Sequence, residues 1–148
     1  MSYQNISYPL DEVHDSALHE LGTRTQNGSN EYIYLKGVAD TAANSWVTYD
    51  EAYATALLTA NAVGPVAVAL SATVANKYGW YQIWGSASAA TDAVADNATL
   101  YIDATDGRVD DAAVTGDLVV GAVTRSTDAS TNVATVQLNY PYVTNALG

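Results

Sequence analysis

Residues 79–85, GWYQIWG, restrict the fold of this chain more than any other stretch. In an extended strand, Trp80 and Trp84 point to one face and Tyr81 and Ile83 point to the other. Because large apolar groups stand on both faces, each face needs a cover. We expect Tyr81 and Ile83 to face the domain core, and we expect a second subunit to cover the two tryptophans. The bracketing glycines permit bends where the strand begins and ends.

The rest of the sequence indicates a fold made mainly of β-strands. Thr, Val and Tyr favour strands, and Asp, Asn and Gly favour the turns between them. Asn27-Gly28 predicts a hairpin turn. Short strands at this spacing are typical of a compact β-sandwich or barrel of antiparallel strands. Besides the opening segment, the predicted strands are 31–36, 46–49, 66–73, 98–103, 117–125 and 133–139.

The chain of 148 residues is expected to form one domain with an extended arm at each end. Residues 1–20 form the N-terminal arm, which ends in a short helix over residues 11–20 that Asp11 can cap. Residues 21–139 form the β-rich domain, in which the Ala-rich residues 52–62 predict a helical turn or a loop. Residues 140–148 form the C-terminal arm.

Charge and hydropathy exclude several partners. Sixteen acidic residues against five basic ones give a net charge of −11, which repels nucleic-acid phosphates and suits a concentrated, dissolved protein. Gly64-Pro65 divides the long uncharged run of residues 52–76 into pieces too short to cross a membrane as helices. The N-terminus lacks the basic start and apolar stretch of a secretory signal. We therefore expect no nucleic acid and no membrane partner.

No residue constellation predicts an enzyme, a cofactor or a metal. His14 and His19 are five residues apart, which is not the spacing of a metal-binding pair on a helix, so we expect both to be solvated. The acidic residues 103–111 do not fit the ligand positions of an EF-hand. Asp106-Gly107 is better explained as a β-turn, although an adventitious cation site among these residues stays an alternative.

The order of motifs from Leu21 to Tyr142 resembles that of a known family. It runs EYIYLKGVAD, SWVTYDE, VGPVAVALSATVANKYGWYQIWGSA, TLYIDATDGRVDDA, GDLVVGAVTRS and VATVQLNYPYV. This pattern resembles the small β-rich decoration (cement) proteins of tailed-phage capsids. The resemblance implies a virion protein, made in the host cytoplasm, that binds the outside of the assembled head. It further implies a trimer that locks neighbouring major capsid protein subunits together.

Exposed aromatic residues are the candidates for contact with such a shell. Tyrosine on an arm supplies contact area at low entropic cost and keeps a polar tip. The candidate contact residues are Tyr3, Tyr8, Trp80, Trp84, Tyr140 and Tyr142.

Two alternatives remain open at this point. The first is another virion component, such as a head fibre, a tail protein or a neck protein. The second is a carbohydrate-binding or host-attachment module, in which Trp80 and Trp84 would provide a platform that stacks on sugar rings.

Overall fold

The computed structural model describes residues 3–4, 10–128 and 130–146. Within these residues the chain forms eleven β-strands and no helix, so the fold is mainly β, as predicted. β1 is parallel to β2, and the other strand pairs are antiparallel. The strands are β1 (Tyr3–Gln4), β2 (Arg24–Asn27), β3 (Asn30–Lys36), β4 (Trp46–Tyr49), β5 (Thr55–Leu57), β6 (Gly64–Ala69), β7 (Tyr78–Ala90), β8 (Thr99–Ile102), β9 (Val109–Asp110), β10 (Leu118–Thr124) and β11 (Val133–Val143).

One long strand joins two halves of a continuous sheet. The strand order is β1-β2-β3-β7-β6-β11-β10-β8-β9, and β4 links β5 to β6. β7 is 13 residues long and contains the GWYQIWG segment. Residues 78–82 and Trp84 pair with β3, and residues 84–90 pair with β11. β6 pairs with β7 only at Tyr81 and Gln82.

Isolated bridges connect distant strands of the sheet. Lys36 at the end of β3 bridges Ala54, beside β5, and Thr91 after β7 bridges Val109 of β9. Two large clusters of buried residues pack on the sheet. The first core consists of Ile33, Leu35, Val47, Ala67, Ala69, Tyr81 and Ile83. The second core includes Trp46, Leu58, Ala87, Ala89, Leu100, Val119, Val136 and Leu138.

Residues 10–21, which we call the strap, cross β3 and β7 as a series of turns and bends with one bridge residue, His14. His14 exchanges two backbone hydrogen bonds with Tyr78, with N···O distances of 2.8 and 2.9 Å. The predicted helix over residues 11–20 is wrong. A helix this short with a narrow apolar stripe is marginal by itself, whereas the observed path satisfies backbone groups of Tyr78 and buries the His14 side chain.

Two further segment predictions need correction. The Ala-rich residues 52–62 include β5, whose residues pair with β4 instead of forming a helical turn. The predicted C-terminal arm is wrong for residues 140–143, because β11 continues through them and Val143 is buried in the second core. There Tyr142 pairs with Pro65, and these ladder bonds hold the chain on the sheet.

The N-terminal prediction can be followed only in part. Tyr3 belongs to β1 and pairs with Arg24 of β2. Tyr8 and most of residues 1–9 lie outside the described residues. In the part of the chain that is described, no helix has the length and apolar character needed to cross a bilayer.

Candidate functional site

The sheet forks where β11 changes its pairing partner. Asn139 pairs with Trp84 of β7, whereas Tyr142 pairs with Pro65 of β6. The ladder between β10 and β11 shifts its register at the same place, which marks a β-bulge. Tyr140, within the bulge, has a φ of 44°. A bulky residue in this left-handed region costs on the order of 1–3 kcal/mol, and such strain is concentrated at functional sites.

A glycine on the neighbouring strand makes room for the bulge. Gly121 of β10 has a φ of 83°, and a Cβ at this position would lie 2.5 Å from the backbone oxygen of Asn139. It would also lie 3.2 Å from the Cα of Pro141. Any side chain here would therefore push the bulge away from β10.

Three side chains hold the Tyr140 ring against the sheet. The rings of Trp84 and Tyr140 have centroids 5.0 Å apart. The guanidinium carbon of Arg24 lies 5.8 Å from the centroid of the Tyr140 ring, within the range of a cation–π contact. The Tyr140 hydroxyl donates to Glu31 Oε1 at 2.9 Å. Arg24 also pairs with Glu31, at 3.2 Å between Nη1 and Oε2.

The fork opens into an aromatic cleft with a volume of about 330 Å³. Its lining is mostly apolar, and Arg24 is its one charged lining residue among those described. A wider groove of about 680 Å³ adjoins it, with Arg24, Tyr49 and Pro65 common to both. Asp50 and Glu51 stand on the wall of this second groove. The cleft is lined by Arg24, Tyr49, Pro65, Val66, Ile83, Tyr140, Pro141 and Tyr142.

The predicted core face of GWYQIWG is confirmed. Tyr81 and Ile83 are buried in the first core. Burial raises the pKa of the Tyr81 hydroxyl to about 12, while the hydroxyls of nearby threonines partly offset the effect. The hydroxyl itself makes no hydrogen bond of good geometry with any described group.

The prediction that Trp80 and Trp84 share an exposed face is wrong for Trp80. Trp80 is 0% exposed, and it packs with Tyr32 and Tyr34 beneath the strap. Trp84 is 37% exposed. Between them the Gln82 amide is buried and donates to the backbone oxygens of Trp84 and Ser86, at 3.0 and 2.9 Å. The two tryptophans therefore cannot form one platform.

The structure brings together three of the six predicted contact residues. Trp84, Tyr140 and Tyr142 meet at the fork, and the two tyrosines are 46% and 42% exposed. Sequence reasoning missed Arg24, Glu31 and Tyr49. The Asn27-Gly28 sequence could have indicated that Arg24 and Glu31 lie close together. It predicts a hairpin, which places β2 beside β3 and so brings Arg24 near Glu31.

The other candidates for chemistry are structural groups. Among the described residues, no cluster of three or more His, Asp or Glu side chains is arranged to hold a metal ion. Asp106-Gly107 forms the predicted turn, with Gly107 at a φ of 81°. His14 is buried, so the expectation of a solvated helical histidine is wrong for it.

An interacting carboxyl pair lies beside this turn. Burial, followed by a hydrogen bond with Asp103, raises the pKa of Asp110 to about 6. Burial opposes ionisation of Asp103 as well, but hydrogen bonds led by that from the Thr105 N–H hold its pKa below the ordinary value. A protonated Asp110 therefore donates to an ionised Asp103.

Comparison with known proteins adds no further assignment. The chain matches no protein-family model, no curated protein and no solved structure.

Proposed function

We propose that this protein is a decoration (cement) protein that binds the outer surface of a tailed-phage head and bridges major capsid protein subunits. The sequence pattern described above supports the family. The observation that carries the proposal is the exposed aromatic set at the fork, Trp84, Tyr140 and Tyr142, beside a cleft of about 330 Å³. Aromatic side chains beside an Arg are enriched among the residues that dominate protein–protein binding energies.

The arrangement at the fork suits a contact surface better than a catalytic site. Tyr140 is already held by Trp84, Arg24 and Glu31, so little side-chain entropy is lost when a partner packs on its ring. The bulge is fixed by the sheet, which supplies a rigid base for the exposed rings. A preorganised aromatic surface of this kind gains affinity by lowering the cost of binding.

Binding to the shell stabilises it by mass action. A protein that binds only the assembled lattice lowers the free energy of that state by RT ln(1 + [L]/Kd) at each site. Because a shell repeats its binding site many times, modest affinity at each site is sufficient. The net charge of −11 helps to keep such a protein in solution until it docks.

Two finer features belong to the same proposal. We propose that the two halves of the sheet are small barrels, each closed by a bridge, Lys36 to Ala54 in one and Thr91 to Val109 in the other. We also propose that the protein acts as a trimer on the capsid exterior. Light scattering of the free protein measures the subunit number directly.

A carbohydrate-binding module is the second candidate function. Trp84 and Tyr140 expose ring surface next to the paired groups of Arg24 and Glu31, and sugars combine stacking on rings with hydrogen bonds to such groups. A glycan that shifts the Trp84 fluorescence, together with failure to bind capsids, favours this function over the first.

The test adds purified protein to expanded capsids that lack it, and measures co-sedimentation and the temperature at which the shells release DNA. We expect saturable binding and a higher release temperature. The double variant Trp84→Ala/Tyr142→Ala is expected to lose binding by at least about 30-fold, the size of a 2 kcal/mol hot spot. Val133→Ala is the matched control, because Val133 is similarly exposed at the other end of β11. Absence of wild-type binding to expanded shells contradicts the proposal.

A further inference from the structure

Two histidine side chains of the strap contact the sheet. His14 exchanges backbone hydrogen bonds with Tyr78, and the Lys77 ammonium pairs with Asp15, whose side chain is 87% exposed. Leu10 and Leu21 at the ends of the strap pack on the buried cluster of Tyr32, Tyr34 and Trp80. Most of the residues between them, such as Val13 and Leu18, are exposed.

The Tyr34 hydroxyl forms hydrogen bonds with two groups of the strap. It lies 2.7 Å from His14 Nδ1 and 3.2 Å from the backbone nitrogen of Leu18, whose N–H donates to the tyrosine oxygen. His14 is buried, so a positive charge on its ring is poorly hydrated there.

His19 is the second histidine of the strap that contacts Tyr34. Its ring meets that of Tyr34 edge-on, with centroids 5.0 Å apart and an interplanar angle of 89°, and it lies 5.3 Å from the Trp80 ring. Burial lowers the pKa of His19 below its ordinary value. The centroids of the His14 and His19 rings are 6.4 Å apart. Two imidazolium charges at this separation repel each other, and the aromatic surroundings solvate them poorly.

We propose that the strap is an acid-released cover: neutral His14 and His19 hold it against Tyr34 and Trp80, and protonation of both histidines detaches it and exposes that aromatic cluster. The released face consists of Tyr32, Tyr34 and Trp80. This inference does not depend on the proposed function, because it concerns the strap and the cluster beneath it, none of whose residues lines the aromatic cleft.

The direction of the pH effect follows from the lowered pKa of His19. The released state binds a proton more readily than the covered state, so the strap loses stability as the pH falls below about 6.5, the ordinary value for histidine. The titratable and charged groups around this contact oppose the effect only weakly, because the carboxylates are exposed to solvent and screened by salt. Among the described residues they are Asp11, Glu12, Asp15 and Glu20 of the strap, Tyr34 of β3, and Lys77 and Tyr78 at the start of β7.

Tryptophan fluorescence can follow the release. On a Trp84→Phe background, Trp46 and Trp80 remain, and both are fully buried. We expect the emission to shift to the red as the pH falls from 7.5 to 5, with a midpoint below 6.5, while the far-UV circular dichroism of the sheet stays unchanged. An emission maximum that does not move down to pH 5 contradicts the proposal. So does a shift that coincides with loss of the far-UV signal, because the whole sheet would then be unfolding.

Variants assign the transition to the two histidines. His14→Asn keeps an oxygen acceptor near the position of Nδ1, and His19→Phe keeps a ring between Tyr34 and Trp80. The double variant is expected to retain the neutral-pH emission and to lose the acid shift. Asp110→Asn is the control, because the pKa of Asp110 is about 6 but the residue belongs to β9. If the shift survives in the histidine double variant or disappears in Asp110→Asn, the assignment is wrong.

Direct titration of the histidines by NMR provides a measurement that needs no variant. The chain contains only these two histidines, so the imidazole resonances are easily assigned. We expect the pKa of His19 to lie below 6.5. A His19 pKa of 6.5 or higher overturns the proposal.

Discussion

The two halves of β7 alternate in the same way but differ in what lies on their outer face. In residues 78–83 both faces are buried: Tyr81 and Ile83 face the first core, and Trp80 lies beneath the strap. In residues 84–90 only the inner face is buried, and Trp84, Ser86 and Ser88 alternate as exposed positions on the outer face. The boundary falls at the fork, where β11 replaces β6 beside β7.

This difference teaches that strand periodicity assigns residues to faces but does not say which face is covered. Trp80 and Trp84 have the same side-chain chemistry, but Trp80 is buried beneath the strap whereas Trp84 packs on Tyr140 and is 37% exposed. The two halves of β7 also differ in the size of their side chains. Large side chains occur where two layers must be filled, and Ser and Ala occur where one layer meets solvent. Substitutions in the two halves should therefore have very different consequences.

The largest stability effect is expected for Trp80→Ala. The substitution removes a fully buried ring between the sheet and the strap, and truncation of a buried Trp costs about 3–5 kcal/mol. Urea unfolding followed by circular dichroism measures the loss. Ser88→Ala, on the outer face of the other half, is the control and should change stability by less than about 0.5 kcal/mol. If Trp80→Ala costs less than about 1 kcal/mol, the strap does not pack as described.

A slightly smaller effect is expected for Gly121→Ala, which tests the boundary between the halves. The left-handed φ costs about 1–2 kcal/mol for alanine, and crowding against Asn139 and Pro141 adds about 1–3 kcal/mol. Gly28→Ala separates the two contributions, because Gly28 has a φ of 62° but no heavy atom within 4 Å of an added Cβ. The two variants should differ by the crowding contribution. Equal unfolding free energies for the two variants contradict a tightly packed bulge.

Trp84→Ala should cost less stability than either change above. The ring is partly exposed, and its contact with Tyr140 contributes about 0.5–1.5 kcal/mol. Its larger effect should be on subunit contact, since the proposed trimer or the shell covers this ring. Light scattering and capsid co-sedimentation of the variant measure that effect. A variant with wild-type assembly and wild-type capsid binding shows that no partner covers Trp84.

Much of the strand pattern could be predicted from the sequence because it depends on local alternation and turn residues. Asp106-Gly107 forms the predicted turn. The predicted hairpin also forms, but its loop is Gly28-Ser29, one residue later than Asn27-Gly28, because Asn27 pairs with Asn30. Gly28 and Gly107 both have a positive φ. The second half of β7 gave a weaker signal, because alternating Ser and Ala differ little in hydropathy. The predicted segment ended at Gly85, whereas the strand continues to Ala90.

The strap and the cleft could not be predicted because both depend on contacts between distant parts of the chain. The backbone of His14 forms two hydrogen bonds with Tyr78 instead of the hydrogen bonds of a helix. No local sequence pattern around His14 indicates Tyr78 as its partner. Likewise the Tyr140 hydroxyl bonds to Glu31 across the fork. The Tyr-Pro-Tyr sequence of residues 140–142 suggested an arm, since proline normally weakens a strand. The bulge explains how proline is tolerated in β11.

The smallest effect expected is the contribution of Asp110 to the pH dependence of the unfolding free energy. Asp110 stabilises the fold as the pH falls, whereas the strap is weakened as the pH falls. Burial and the bond to Asp103 raise the pKa of Asp110 to about 6, so between about pH 4 and 6 the folded state holds a proton that the unfolded state has lost. Its contribution to stability therefore falls as the pH rises through 6, whereas the strap is weakened as the pH falls. Asp110→Asn keeps a donor for Asp103 and should flatten this part of the profile of urea midpoints between pH 4 and 7. Asp106→Asn, in the exposed turn nearby, should follow the wild type. If Asp110→Asn also follows the wild type, the carboxyl pair does not share a proton.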